Sequence, residues 1–252
     1  MHPNARLSGS SEAIARPNSL ADVDTAHPVI SVDLVIFSVF ERDLKVLLVR
    51  RMSEPFQDQY ALPGGRIDIQ EGLEDAASRV LDERLGVRGL FFEQLGAFGD
   101  PLRDPRARIV TIAYYALVPS HSLDAQLSER GGRAQWHSVY NLPKLAFDHE
   151  RIQASALARL RERIEQSAIG FELLPAKFTL SELQFLHETI LGRSLDKRNF
   201  RRKMQLLGIL EPLSERRMDG IHRPAQLFSY RLPAASASTP HAIPVAGPRM
   251  GQ

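Results

Sequence analysis

The chain has 252 residues, enough for one large domain or two modest ones, and two is the expectation. Hydrophobic residues at 43% and charged residues at 25% allow a buried core and exclude global disorder, while a net charge of only +2 makes the placement of basic groups more informative than their total. The absence of cysteine excludes disulfides, thiolate metal sites and thiol catalysis, and suits a reducing cytoplasm.

Residues 1–28 mix Asp and Glu with Pro, Ser and Ala and hold no apolar signal-peptide core, so they are expected to be a flexible arm. No apolar run approaches the roughly 18 to 20 residues of a membrane span, and a soluble, cytoplasmic protein is expected. From Pro28 the pattern becomes β-like. Val29, Ile30, Val32, Leu34, Val35, Ile36, Val39 and Phe40 precede a polar turn at Glu41-Arg42-Asp43, and Lys45 to Val49 follow it, which predicts a hairpin. Ala61-Leu62-Pro63-Gly64-Gly65 is a breaker cluster and predicts a shaped loop. A helix is predicted over Leu73 to Leu85, closed by Gly86. Strands are expected at Leu90 to Phe98, at Ile109 to Val118 beyond a Pro/Arg-rich loop, and around Trp136 and His137. Asp148 to Gln166 should be a long amphipathic helix with Ile152, Leu157, Leu160 and Ile164 on one face. Residues 29–166 thus read as one mixed α/β domain.

Ser167 to Pro175 breaks the helical period at Gly170 and Pro175 and reads as a linker. A second domain is expected over residues 167–232. Thr179 with Glu182 three residues on is a capping-box start for a helix with Leu183, Leu186 and Ile190 inward. Gly192-Arg193-Ser194 is a turn from which Ser194 can cap a second helix, where Phe200, Met204 and Leu207 face inward and Gly208 ends it. This is a helix-turn-helix. Leu210 to Leu213 and Gln226 to Leu232, around a loop holding Arg216, Arg217, Gly220 and Arg223, would form a wing. Residues 233–252, rich in Pro, Ala and Ser, are expected to be a disordered tail.

Gly65, Glu71, Arg79, Leu81, Glu83, Gly86 and Val87 fall at the spacings of the Nudix box, and on these residues the first domain resembles Nudix proteins. Ala61 to Gly65 and Asp104-Pro105-Arg106, followed by a Tyr-bearing strand, are similar to members acting on ADP-ribose. The resemblance implies a Nudix-type α/β/α sandwich with a mixed sheet, giving an α+β chain with a C-terminal winged helix-turn-helix. The box's chemistry needs carboxylates, because a diphosphate must be neutralised by divalent cations that also help activate water. Two of the three key glutamates are replaced, by Val80 and Arg84. Valine cannot coordinate magnesium, and arginine puts a fixed positive charge where the cation would sit. Hydrolysis is therefore expected to be absent or very weak, with no metal and no required cofactor. Asp82 or Glu74 rescuing a metal site is the competing account. Backbone amides at Gly64 and Gly65 can approach a phosphate closely, with Arg50, Arg66, Arg84, Arg106 and Arg108 as candidate counter-charges. Each of these arginines also fits plain solvated surface. Asp148-His149 resembles a recurring Nudix segment, although Asp148 serves equally as a helix cap.

Between Phe171 and Arg231, eleven Lys and Arg face seven Asp and Glu. The excess centres on the second helix of the helix-turn-helix, where Lys197, Arg198, Arg201 and Arg202 must lie outward if Phe200, Met204 and Leu207 lie inward. Such a face suits a major groove lined by phosphates. Arg198, Asn199 and Arg202 suit base edges, and Lys197, Arg201 and Arg223 suit phosphates. Across Pro28 to Leu232, including Arg198-Asn199-Phe200-Arg201 and Arg223-Pro224-Ala225, the chain resembles the Nudix-related transcriptional regulators of NAD metabolism, the NrtR family. That resemblance implies a bacterial homodimeric repressor of NAD biosynthesis or salvage genes, with ADP-ribose in the Nudix domain releasing double-stranded operator DNA. The alternatives are an active Nudix hydrolase of ADP-ribose or another nucleoside diphosphate derivative, and a C-terminal module whose basic face meets acidic proteins.

Overall fold

Central strands covered on both faces are largely apolar, and β1 (Val29–Phe40) is buried from Val32 to Ser38, with Asp33 and Ser38 its buried polar residues. In the computed structural model, which describes residues 27–86, 89–122, 133–218 and 224–231, β1 lies parallel to β6 (Ile109–Leu117) at the centre of a seven-stranded mixed sheet. The other strands are β2 (Asp43–Arg50), β3 (Tyr60–Ala61), β4 (Gly64–Arg66), β5 (Phe91–Phe98) and β7 (Ala134–Ser138), all paired antiparallel. The hairpin expected between β1 and β2 closes on Glu41 and Arg42, both left-handed at φ 51 and 61, as a two-residue primed turn requires.

Alternation along β1 sends Val32, Leu34 and Ile36 to one side and Val35 and Phe37 to the other. The first side packs on α1 (Leu73–Leu85) through Ala76, Ala77, Val80, Leu81 and Leu85. The helix ends as expected on Gly86, left-handed at φ 68, whose N–H donates to the Asp82 carbonyl at 2.7 Å. Val87 lies outside the described residues. The second side packs on α2 (His149–Gln166), where Ile152, Ala156 and Leu160 are fully buried and Ile164 nearly so. The two helices sandwich the sheet, and each large apolar side chain so buried contributes about 1.5–3 kcal/mol.

Of the linker expected over Ser167 to Pro175, the part from Ser167 to Leu173 is packed. Ser167, Ala168, Ile169 and Gly170 are buried, and Ile169 to Leu173 form a 3-10 turn. A Cβ on Gly170 would sit 3.4 Å from Ile164 and 3.5 Å from Leu186, so glycine here serves close packing. Ile169 and Leu173 join the α2 face and Leu186 and Ile190 of the next helix in one hydrophobic cluster.

The C-terminal part is a helix-turn-helix with a wing. α3 (Leu180–Leu191) starts at the expected capping box of Thr179 and Glu182 and ends on Gly192 at φ 68. α4 (Lys197–Leu206) is capped by Asp196, whose carboxylate accepts from the Asn199 amide at 2.8 Å, and not by Ser194 as the sequence suggests. The turn runs two residues longer because Glu188 and Gln184 of α3 hold both backbone groups of Leu195. β9 (Leu210–Arg217) and β10 (Ala225–Tyr230) form the wing hairpin, joined by a short strand, β8 (Phe178–Thr179), too brief to leave a periodic signal. Gly220 and Arg223, residues 1–26 of the expected arm and the tail from residue 232 lie outside the described residues.

Burial of His187 between the helices pushes its imidazole down to about 4. The unfolded ring takes up a proton near 6.5, so the stability this group confers is fully present above that pH and is lost as pH falls toward 4. Denaturant unfolding at about pH 7.5 and about pH 5 should show a loss of about 2 kcal/mol from this group. His187→Gln should remove that share, and an unchanged pH dependence in the variant would refute the assignment.

Candidate functional site

β1, β4, the loop over residues 100–108 and the start of α2 enclose a cavity of about 210 Å3. Its floor is the Gly64-Gly65 backbone. A Cβ on Gly64 would lie 2.3 Å from an Asp33 oxygen and 2.6 Å from the Val32 carbonyl, so β4 approaches β1 as only glycine permits. Gly65 is less constrained, with Val80 of α1 at 3.6 Å.

Four arginines and two aspartates line this space. Arg103, its side chain 4% exposed, makes two bonds to Asp148, at 2.7 and 3.1 Å, and one to Asp33 at 3.2 Å. Burial opposes the Arg103 charge, but these two carboxylates hold its pKa above the usual value. Arg106 is bound twice by Asp104, at 2.9 and 2.6 Å. Arg51 and Arg66 are different: among the described residues no carboxylate pairs with either. Arg51 is held by the Pro55 and Ser53 carbonyls and lies 4.7 Å above the Phe147 ring. Burial, and then repulsion from Arg106, lower its pKa. Phe147 takes φ 58, a conformation uncommon for a bulky residue, which sets its ring beneath both guanidiniums. His149, buried and pushed toward the neutral form by desolvation, accepts from the Leu62 amide through Nδ1 at 2.9 Å.

Within the box, Arg79 organises the rest. It bonds Glu71 at 2.7 and 2.9 Å, Glu83 at 3.2 Å and the Arg66 carbonyl at 3.0 Å. The bond to Arg79 holds the Glu71 carboxyl below the usual range. Val80 is 1% exposed inside the α1 core, and the Arg84 Nε is buried without a partner.

The cavity therefore brings together Gly64, Gly65, Arg66 and Arg106 from the sequence-based candidates. Arg50 instead pairs with Asp58 on the surface at 3.1 Å, Arg108 reaches the Asp100 carbonyl outside, and Arg84 lies on α1 away from the lining. Arg51, Arg103, Asp33 and Phe147 also line it and are not among those candidates, while His149 comes from the Asp148-His149 segment noted in the sequence. Asp33 carries a readable signal, as the one charged residue of β1. Arg103 sits in a loop with no periodicity to read. Asp148 occupies the N-cap of α2, yet its side chain makes no capping bond, because both oxygens are on Arg103.

At the other end of the molecule, Phe200 and Met204 are buried and Lys197, Arg198, Asn199 and Arg202 are exposed on α4. Arg201 is half-buried and points into a groove between the start of α3, α4 and the wing, lined also by Lys197, Ser181 and Gln226, and its Nε has no partner. The sequence-based set is thus divided between an outward face and a groove, with Arg223 outside the described residues.

This combination defines a Nudix-fold domain carrying a winged helix. Residues 29–160 match the NUDIX domain, and residues 170–230 match the NrtR DNA-binding winged helix domain. The chain belongs to the NrtR family of Nudix-related regulators. It is 36% identical over 213 residues to an ADPR-responsive transcriptional repressor of Acinetobacter baylyi, covering 83% of this chain and 84% of that one. The NrtR of Shewanella oneidensis, solved with a 27mer DNA, superposes with a TM-score of 0.73 at 34% identity over 80% of this chain and 93% of that one. An ADP-ribose pyrophosphatase of Methanocaldococcus jannaschii is 37% identical over 126 residues, 50% of this chain and 71% of that one.

The close approach of β4 to β1 gives a direct test. Gly64→Ala should cost about 1–3 kcal/mol, as overpacking against backbone does, whereas Gly65→Ala should be nearly neutral. Denaturant unfolding of the two variants measures this, and equal stabilities would contradict the assigned packing.

Proposed function

We propose that this chain is a DNA-binding transcriptional repressor whose Nudix-fold domain binds ADP-ribose as an effector and thereby releases operator DNA. The observation that carries the effector half is the charge of the cavity. Asp33, Asp104 and Asp148 are bonded to Arg103 and Arg106, while Arg51 and Arg66 have no carboxylate bonded to them among the described residues, so the four arginines exceed the three aspartates by one charge beside a glycine floor. A diphosphate diester brings two negative charges, and backbone amides and guanidiniums are suitable partners for it.

The box residues do not fit a magnesium site. Val80 contributes a methyl-lined surface inside the core, Arg84 adds positive charge, and Glu71 and Glu83 are both engaged by Arg79. No hydrolytic step is derived for this cavity. In this reading the protein is a regulator, binds its effector without a metal, and acts in the cytoplasm as a homodimer on a two-fold operator, with half-sites about 10–10.5 base pairs apart or a multiple of that. Genes of NAD biosynthesis or salvage are the proposed targets. On α4, Arg198, Asn199 and Arg202 have the exposure needed for base edges, while Lys197 and Arg201 flank the groove where a phosphate would lie.

The similarity to an ADP-ribose pyrophosphatase favours a second reading, in which the cavity hydrolyses ADP-ribose. Product release by the native protein, compared with Val80→Glu/Arg84→Glu, separates the two. The regulator reading predicts no turnover above background by the native chain, and robust turnover would overturn it.

Selection of genomic fragments by the purified protein, with and without ADP-ribose, tests the whole proposal. Specific fragments should be recovered, and ADP-ribose should deplete them. Recovery of no fragment would favour the protein-interaction reading, and recovery indifferent to ADP-ribose would refute the effector. Changing Lys197, Arg198, Arg201 and Arg202 together to Ala should weaken binding to the selected duplex at least 100-fold and flatten its salt dependence, since cation–phosphate contacts set that slope. Retained affinity would displace the interface from α4.

A further inference from the structure

One element touches both functional regions. α2 begins at the cavity, where His149 accepts from Leu62 two residues before the glycine floor and Asp148 grips Arg103. Its 18 residues run about 27 Å. The far end is fastened to the winged helix by three bonds. Arg161 Nε donates to the Ile190 carbonyl at the end of α3 at 2.9 Å, the Glu165 carboxylate pairs with Arg193 of the α3–α4 turn at 2.6 Å, and Lys203 of α4 reaches the Glu165 carbonyl at 3.4 Å. Between the ends, the buried face of α2 shares its core with Ile169, Leu173, Leu186 and Ile190. Close-packed interiors shift between discrete arrangements more readily than they bend, which suits a continuous packed helix such as α2 to carry a displacement as a rod.

We propose that α2 couples the cavity to the recognition helix, with Arg161 and Glu165 as the positioning residues that carry its movement to α4. This inference rests on the ADP-ribose reading above. An effector can change DNA occupancy only by binding two arrangements with different affinity, and the start of α2, which brings His149 to the cavity lining, is where the two can differ. Arg103 and Asp148 tie that start to the loop over residues 100–108, and the Asp148 carboxylate makes no capping bond to its own helix. A diphosphate held by Arg51 and Arg66 acts on the same point, because Phe147, beneath Arg51, directly precedes Asp148 and His149 in the chain, and the start of the helix shifts with it. The fastened end shifts the α3–α4 turn with it.

The test uses the full-length protein, ADP-ribose and a duplex recovered from the genomic selection. Three quantities are measured: affinity for ADP-ribose, affinity for the duplex, and the factor by which saturating ADP-ribose weakens duplex binding. Glu165→Gln and Arg161→Met should each leave the two affinities within about threefold of the native values and lower the coupling factor at least fivefold. Glu165→Arg combined with Arg193→Glu should restore coupling, which a merely structural role would not predict. Native-like coupling in both single variants overturns the inference while leaving the effector reading intact. Loss of duplex affinity itself, with unchanged thermal unfolding, also overturns it, because these residues would then serve DNA binding directly. A native protein whose duplex affinity ignores ADP-ribose overturns the effector reading first and the coupling with it.

Discussion

A guanidinium removed from water must be neutralised where it stands, and Arg103 meets this requirement with carboxylates from two distant points of the chain, Asp33 in β1 and Asp148 at the start of α2. That pairing fixes the loop over residues 100–108 against the sheet, sets the first turn of α2, and closes the cavity whose floor is Gly64 and Gly65. Removing either acid would leave a buried cation poorly paired, a loss of several kcal/mol. The geometry of the cavity and the starting point of the helix that runs to the winged domain therefore depend on the same three side chains.

The box of residues 65–86 shows how a motif separates into structural and chemical parts. Glu71, Arg79, Glu83 and Gly86 have local architectural explanations: a guanidinium that ties the loop before α1 to the helix, and a left-handed helix end. The close backbone approach falls on Gly64, just ahead of the box, and not on Gly65. Val80 and Arg84 take no part in these ties: Val80 instead packs in the core between α1 and the sheet, and neither residue holds the loop. Under the proposed function, charge neutralisation passes from a metal to Arg51 and Arg66.

Elements with strong periodicity are legible in the amino-acid order alone: the β1–β2 hairpin, α1 with its glycine end, α2, the capping box of α3 and the inward Phe200 and Met204. Features set by tertiary contact are not. Ser167 to Leu173 has the composition of a linker but is buried, because Gly170 lets α2 and α3 approach. Ser194 is a good cap by residue type, yet Glu188 and Gln184 reach across to Leu195, extend the turn and leave the role to Asp196. The cavity arginines divide similarly. Charge alone points to Arg50, Arg84 and Arg108, while the cavity lining includes Arg51 and Arg103, whose loops carry no pattern that distinguishes inward from outward.

The central claim is that this Nudix-fold cavity receives a diphosphate on arginine charge alone. Calorimetric titration of the full-length protein with ADP-ribose, in EDTA and again in millimolar magnesium, tests it most directly. The account predicts the same affinity within about twofold in both buffers, and a loss of at least tenfold in Arg51→Met, as expected when a charge-assisted contact to phosphate is removed. Binding that appears only with magnesium, or that is unchanged in Arg51→Met, would contradict it.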